Sequence, residues 1–141
     1  MQQENVERHR GALKAFNAHD VEAFIALCDP CVEGHSVFSA VGGGVYHGHG
    51  GLRRFLSDTR DAWGDQISIE SEAYFDLGEN TLVFDVLHGH GSQSGAEVAM
   101  PLAQVARWSE GLCRYFKGYA DREDALRDLG ISEDALERIE P

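Results

Sequence analysis

Apolar residues first recur at helical spacing. Val6, Leu13 and Phe16 mark one face of residues 5–17, and Asn17-Ala18-His19-Asp20 interrupts it. Asp20 suits the N-cap of a second helix, with Glu22 in its first turn. Val21, Phe24, Ile25 and Cys28 then fall at i, i+3, i+4 and i+7 until Asp29-Pro30 ends the run. Residues 31–38 alternate as a strand: Val32, Gly34, Ser36 and Phe38 share one face, and Glu33, His35 and Val37 the other. Gly42-Gly43-Gly44 marks a turn and Val45-Tyr46-His47 a short strand. Leu52, Phe55, Leu56, Thr59, Ala62 and Trp63 give the clearest helical pattern in the chain. Strands follow at about 66–76, 81–90, 97–108 and 112–119, separated by turns at Gly78-Glu79-Asn80, at Gly91 to Gly95 and at Ser109-Glu110-Gly111. After Asp121 the pattern predicts helix closed by Gly130, then a last short helix capped by Ser132.

Helices first and a strand meander after them predict one α+β domain over residues 1–141, with a helical tail over about 121–139. Short links make the meander antiparallel. A curved antiparallel sheet wrapped over three helices buries both and leaves a cavity, the usual place for a ligand. In 97–108, Val98, Met100, Leu102, Ala106 and Trp108 make one face apolar, and Gln104 sits among them. A buried amide needs partners; a ligand carbonyl, a water, a neighbouring strand or another side chain would each serve.

Composition narrows the partners. The chain is 43% hydrophobic and 26% charged, an ordinary globular balance. Its net charge is −12, and Lys occurs only at Lys14 and Lys117. Nucleic acid and anionic membrane are therefore not expected partners. The polar start MQQENVERHR and the absence of a long apolar run lead to a cytoplasmic expectation. Eight acids and three Arg between Asp121 and Glu140 read as a solvated helical face.

Some residue types carry chemistry. His47-Gly-His49 and His88-Gly-His90 place imidazoles at i, i+2, on one side of a strand. They fit exposed turns, a pocket acid/base role for His88 or His90, or two ligands of a metal. His35 points away from the cavity by strand parity unless a bulge reverses it. Cys28-Asp-Pro-Cys31 is formally C-x-x-C, but neither a thioredoxin-like βαβ unit nor a second Cys pair accompanies it, so two free thiols are expected. No P-loop and no Gly-x-Ser-x-Gly elbow occurs. Trp63, Trp108, Phe55, Phe84, Tyr115 and Tyr119 are either cavity lining or plain core.

Several words in order carry a resemblance. Phe16-Asn17-Ala18-His19-Asp20, Pro30-Cys31-Val32-Glu33, Val45-Tyr46-His47-Gly48-His49-Gly50-Gly51-Leu52-Arg53-Arg54-Phe55, Gln104 to Trp108 and Tyr119-Ala120-Asp121 resemble the SnoaL-like branch of the nuclear-transport-factor-2-like (NTF2-like) superfamily. The resemblance spans nearly the whole chain. It implies a cone-shaped α+β barrel with a deep apolar pocket, usually as a homodimer; no cofactor is expected. It does not imply one activity, since steroid isomerases, polyketide cyclases, epoxide hydrolases and plain ligand binders share the fold.

The resemblance also locates expected site residues. The Tyr of the ketosteroid isomerases falls at Ala12, their base at Ser36 or Gly34, and their oxyanion-binding Asp at Gln104. An amide still donates to an oxyanion. The Arg-x-Asp of the epoxide hydrolases becomes Val83-Phe84-Asp85. The acid of the cyclases falls near Asp121, which equally suits an N-cap. Expected catalytic candidates are Gln104, Asp121, His88 and His90. Expected ligand contacts are Ser36, Tyr46, Trp63, Phe84, Gln104, Trp108 and Tyr119. Three functions remain open: acid/base chemistry on a small apolar carbonyl compound, binding of a small hydrophobic ligand without chemistry, or a small-domain dimer whose sheet face matters more than its cavity.

Overall fold

The computed structural model describes residues 3–37, 44–91 and 95–141. Phe38, Gly42-Gly43 and Ser92 to Ser94, which the sequence reading assigned to a strand end and two turns, lie outside the described residues. The first helical pattern is α1 (Glu4–Asn17). The break after it has a mechanism. Asn17 turns its side chain onto Ile69, donating to its carbonyl (2.9 Å) and accepting from its N–H (2.7 Å), as a neighbouring strand would. His19 takes a left-handed conformation, and Asp20 caps α2 (Val21–Ala26) by accepting from Ala23 N–H.

Strand β1 (Cys28–His35) begins three residues earlier than the sequence suggests. The chain is captured by the sheet at once, because Leu27 carbonyl accepts Cys113 N–H at 2.8 Å. Strand β2 (Val45–His47) leads into α3 (Gly48–Trp63), which buries Leu52 and Leu56. Strands β3 (Ser68–Leu77), β4 (Asn80–His90), β5 (Glu97–Ser109) and β6 (Leu112–Tyr119) form the meander. The β5–β6 hairpin turns on Glu110-Gly111, both at positive φ (53° and 81°), the geometry that matches strand twist.

The strand order is β2-β1-β6-β5-β4-β3, an open six-stranded sheet. One expectation needs correction: the sheet is mixed. β1 runs parallel to β6, while its antiparallel partner β2 sits on the other side. The reason is that β1 meets β6 only after the chain has passed through α3 and the whole meander. Register shifts at Ser71/Ala73, Arg107/Trp108 and between Cys28 and Glu33 are the places where such strands bend.

Parity sorts the side chains into two layers. Thr81, Val83, Asp85 and Leu87 of β4 share one face, and Leu102, Gln104, Ala106 and Trp108 do so on β5; these faces carry Val83, Leu87, Leu102, Ala106 and Trp108 into the clusters with α1–α3. Leu82, Phe84, Ala103 and Val105 face the other way, against Ala125 and Leu126 of α4 (Arg122–Leu129). Burying a Leu as completely as Leu52 or Leu82 makes truncation to Ala cost about 2–5 kcal/mol. The tail then returns to the sheet edge, where Ile139 and Tyr74 exchange two 2.8 Å backbone bonds. The last predicted helix is a single 3-10 turn (Glu133–Ala135) with no side-chain cap from Ser132.

Candidate functional site

The inner face of the sheet and helices α1–α3 enclose a cavity of about 370 Å³. Most of its wall is apolar, built from residues such as Phe16, Phe24, Trp63 and Trp108. Polar groups enter it from three directions.

Gln104 enters from the floor. Its Nε2 donates to Asp85 Oδ2 at 3.1 Å, a diagonal contact made possible because both side chains share the inner face. Asp85 itself is 0% exposed and stands behind Gln104. Burial pushes its carboxyl up to about 7. The Gln104 N–H and the Arg122 charge pull the other way, and Glu72 adds to the rise. Asp85 Oδ1 is buried with no hydrogen-bond partner among the described residues. Arg122 does not bond this carboxylate: its Nη2 donates to Asp85 carbonyl (2.9 Å), its Nε to Leu102 carbonyl (3.1 Å), and it pairs with Glu72.

His9 enters from α1. Its Nδ1 lies 2.7 Å from Thr81 Oγ1, which also accepts Trp108 Nε1–H at 2.9 Å. The indole can only donate. Among the described groups, Thr81 O–H is best placed to donate to His9 Nδ1, which puts the one proton of the neutral imidazole on Nε2. Burial brings this imidazole down to about 4, so it is neutral at pH 7.

Tyr46 and Asp58 enter from β2 and α3. Tyr46 O–H donates to Asp58 Oδ2 at 2.8 Å. Burial, and then this bond, push the Tyr46 phenol above its ordinary range. Asp58 borders the cavity while remaining exposed to solvent.

Sequence candidates fall into two groups. Ser36, Tyr46, Trp63, Gln104 and Trp108 border the cavity. Phe84 and Tyr119 do not. Phe84 faces the outer layer, edge-on to Phe75 and under the Arg122 guanidinium, because even positions of β4 point outward. Tyr119 O–H donates to Asp128. Asp121 caps α4 through Glu123 N–H (2.9 Å) and is exposed. His88 and His90 lie on the outer face, His88 2.9 Å from Glu70 and His90 4.0 Å from Glu97. None of these three borders the cavity.

Other motifs resolve locally. His47 and His49 do not share a strand face, since α3 begins between them; His49 Nε2 lies 2.9 Å from Cys28 carbonyl. No group of three metal-ligating side chains occurs among the described residues. His35 borders the cavity, yet its ring meets Glu33 (2.6 Å) and Tyr115, on the face that parity assigned. Cys28 is in register with Cys113, not with exposed Cys31, and all three thiols are free.

The position matched to the isomerase Tyr, Ala12, does border the cavity. The polar group of α1 comes instead from His9, one turn earlier. Its signal in the sequence was slight: a His three residues before a cavity position, with no motif around it. Asp58 was hidden in the polar spacing of α3.

The profile of the SnoaL-like domain matches residues 9–116, most of the chain. The chain belongs to the SnoaL-like domain family. Solved structures share its fold. An NTF2-like protein of unknown function from Burkholderia pseudomallei is 21% identical, with TM-score 0.74 over 87% of this chain and 95% of that one. IdmH from Streptomyces antibioticus, provisionally assigned as a polyketide cyclase, is 18% identical, with TM-score 0.72 over 91% and 99%. A hypothetical protein with a ketosteroid isomerase-like fold from Catenulispora acidiphila, solved with trimethylamine, is 16% identical, with TM-score 0.72 over 91% and 95%. At these identities the likeness is one of fold. No curated protein matches this SnoaL-like sequence. No helix among its described residues is long and apolar enough to cross a membrane.

Proposed function

We propose that this chain binds a small, mostly apolar carbonyl compound in the cavity and moves a proton next to its carbonyl. The observation that carries the reading is Gln104, an amide set into an apolar wall with a buried carboxyl behind it. The cavity also holds a carboxylate, Asp58, and a neutral imidazole, His9. Removing a proton α to a carbonyl needs that set: a carboxylate to accept the proton, and neutral donors for the oxygen that gains charge. In the step, a C–H bond breaks and its proton goes to Asp58. The electron pair moves onto the carbonyl oxygen, which Gln104 and His9 hydrogen-bond. Asp58 then returns a proton to carbon. IdmH, with its provisional cyclase assignment, lends the carbonyl class some support.

Deuterium exchange tests this without knowing the natural substrate. 2-Tetralone incubated with the protein in D2O should exchange its α-hydrogens faster than in buffer alone. Asp58→Asn and Gln104→Leu should each abolish the excess. A ketone that binds and does not exchange would overturn the enzymatic step.

That outcome would leave a second reading, a non-catalytic binder. Its support is that Asp121, His88 and His90 stand outside the cavity. The homodimer and the cytoplasmic location implied at the outset belong to the same reading, and sedimentation at micromolar concentration tests the dimer.

A further inference from the structure

We propose that Asp85 sets, by gaining or losing one proton, which end of the Gln104 amide faces the ligand, so that the cavity alternates between preferring hydrogen-bond acceptors and preferring donors. The inference rests on the reading that Gln104 touches the ligand.

The geometry leaves little choice. Asp85 is completely buried, and among the described residues its side chain makes one hydrogen bond, to Gln104: Oδ2 is 3.1 Å from Gln104 Nε2, and Oδ1 has no partner. An ionised carboxylate only accepts. It must therefore draw the NH2 end of the amide toward itself. One amide hydrogen is spent on Asp85, and Oε1 is the group turned away from it. A neutral carboxyl has an O–H to place, and its best acceptor here is Gln104 Oε1. The amide then rotates by half a turn about its last side-chain bond. Both hydrogens of Nε2 are now turned from Asp85 toward the cavity that Gln104 borders. The two ends differ little in size, so the exchange needs no repacking.

The surroundings put the transition in an accessible range. Glu72 on β3 raises the carboxyl and Arg122 on α4 lowers it, and burial outweighs both, bringing it to about 7. Tyr74 on β3 is also within electrostatic reach of Asp85, and Arg10 of α1 lies over the Tyr74 ring at 4.4 Å. Glu7, on the same helix, also acts on Tyr74. His9 on α1 borders the same cavity, but burial keeps it neutral down to about 4, outside the window of Asp85. From β5, Gln104 is the group that faces the carboxyl.

The sign follows. Below about pH 7 the carboxyl is neutral, the amide offers N–H, and a ketone is preferred. Above it, the amide offers its oxygen, and an N–H ligand gains. The donor form is also the one that the proton-transfer reading requires, so ketone exchange should weaken as the pH rises.

Three tricyclic probes of nearly one shape isolate this effect: fluorenone accepts, carbazole donates, and fluorene does neither. Their binding is read by quenching of Trp63 and Trp108, which border the cavity. Between about pH 5.5 and 8.5 the ratio of fluorenone to carbazole affinity should fall about tenfold, while fluorene stays constant. Asp85→Asn keeps a donor and an acceptor beside Gln104 but has no proton to gain or lose. It should make the ratio independent of pH across the range. In the unaltered protein, the Gln104 side-chain amide resonances should titrate together with the Asp85 carboxyl carbon.

A ratio that does not change with pH, or Gln104 amide resonances that do not move, overturns the switch. If Gln104→Leu still weakens fluorenone in that case, the assignment of Gln104 to the ligand survives and only the switch fails. If Gln104→Leu leaves all three affinities unchanged, the reading beneath it fails as well.

Discussion

His9 Nδ1 and Thr81 Oγ1 lie 2.7 Å apart, in the interior, where α1 crosses the start of β4. The contact joins a helix residue to a strand residue and is completed by the Trp108 indole. A charged imidazole there would face a buried hydroxyl and two aromatic rings, Tyr74 and Trp108. Burial therefore keeps the ring neutral down to about pH 4.

That predicts an acid-sensitive contribution to stability. The unfolded chain protonates His9 near 6.5 and the folded chain near 4. The stabilisation is complete above 6.5 and is lost as the pH falls to 4, by an order of about 3 kcal/mol. Chemical denaturation at intervals across that window should show His9→Gln losing this dependence.

Asp85 contributes with the opposite sign. Its folded carboxyl, at about 7, is raised from 3.8. Stability is complete below 3.8 and declines as the pH rises through 7. Asp85→Asn should then unfold at higher denaturant than the parent at pH 8, by a few kcal/mol, and show little gain at pH 4. Equal shifts at both pH values would contradict the buried carboxyl.

Gly34 and Phe116 define a steric limit on the cavity. A Cβ at Gly34 would stand 2.3 Å from Phe116 Cζ, and Phe116 borders the cavity. Gly34→Ala should push the ring into that space, cost about 1–3 kcal/mol and weaken fluorenone binding. Unchanged affinity would mean that the ring has room elsewhere.

The exposed candidates give the complementary expectation. Asp121→Ala removes a cap and should cost about 1 kcal/mol. His88→Ala and His90→Ala should change stability by less than about 0.5 kcal/mol. All three should bind fluorenone as the parent does, by the same fluorescence titration.

The architecture was legible where a residue pattern had one physical solution. The spacing in α3 and the alternation in β5 allow one buried face each, and Asp20 could cap only the helix that follows it. Strand direction was not legible: nothing in Cys28–His35 says that it will lie parallel to β6. Within the site, Gln104 stood out as a polar residue on an apolar face. Asp85 carried the same signal, between Val83 and Leu87, yet its residue type suggested a departed Arg-x-Asp pair. His9 and Thr81 were invisible because each is ordinary alone, and only the crossing of α1 over β4 brings them together. Conversely, Phe84 and Tyr119 were named for being aromatic, and parity places Phe84 in the outer layer.

The central claim is that the Gln104 amide holds a carbonyl oxygen inside the cavity. Infrared difference spectra of bound fluorenone, with carbon-13 at the carbonyl, read that bond directly. At pH 6 the stretch should move to lower frequency on binding to the parent protein, and return to its value in an apolar solvent when Gln104→Leu binds it. A stretch that stays unshifted in the parent, or is shifted equally in Gln104→Leu, would contradict the account.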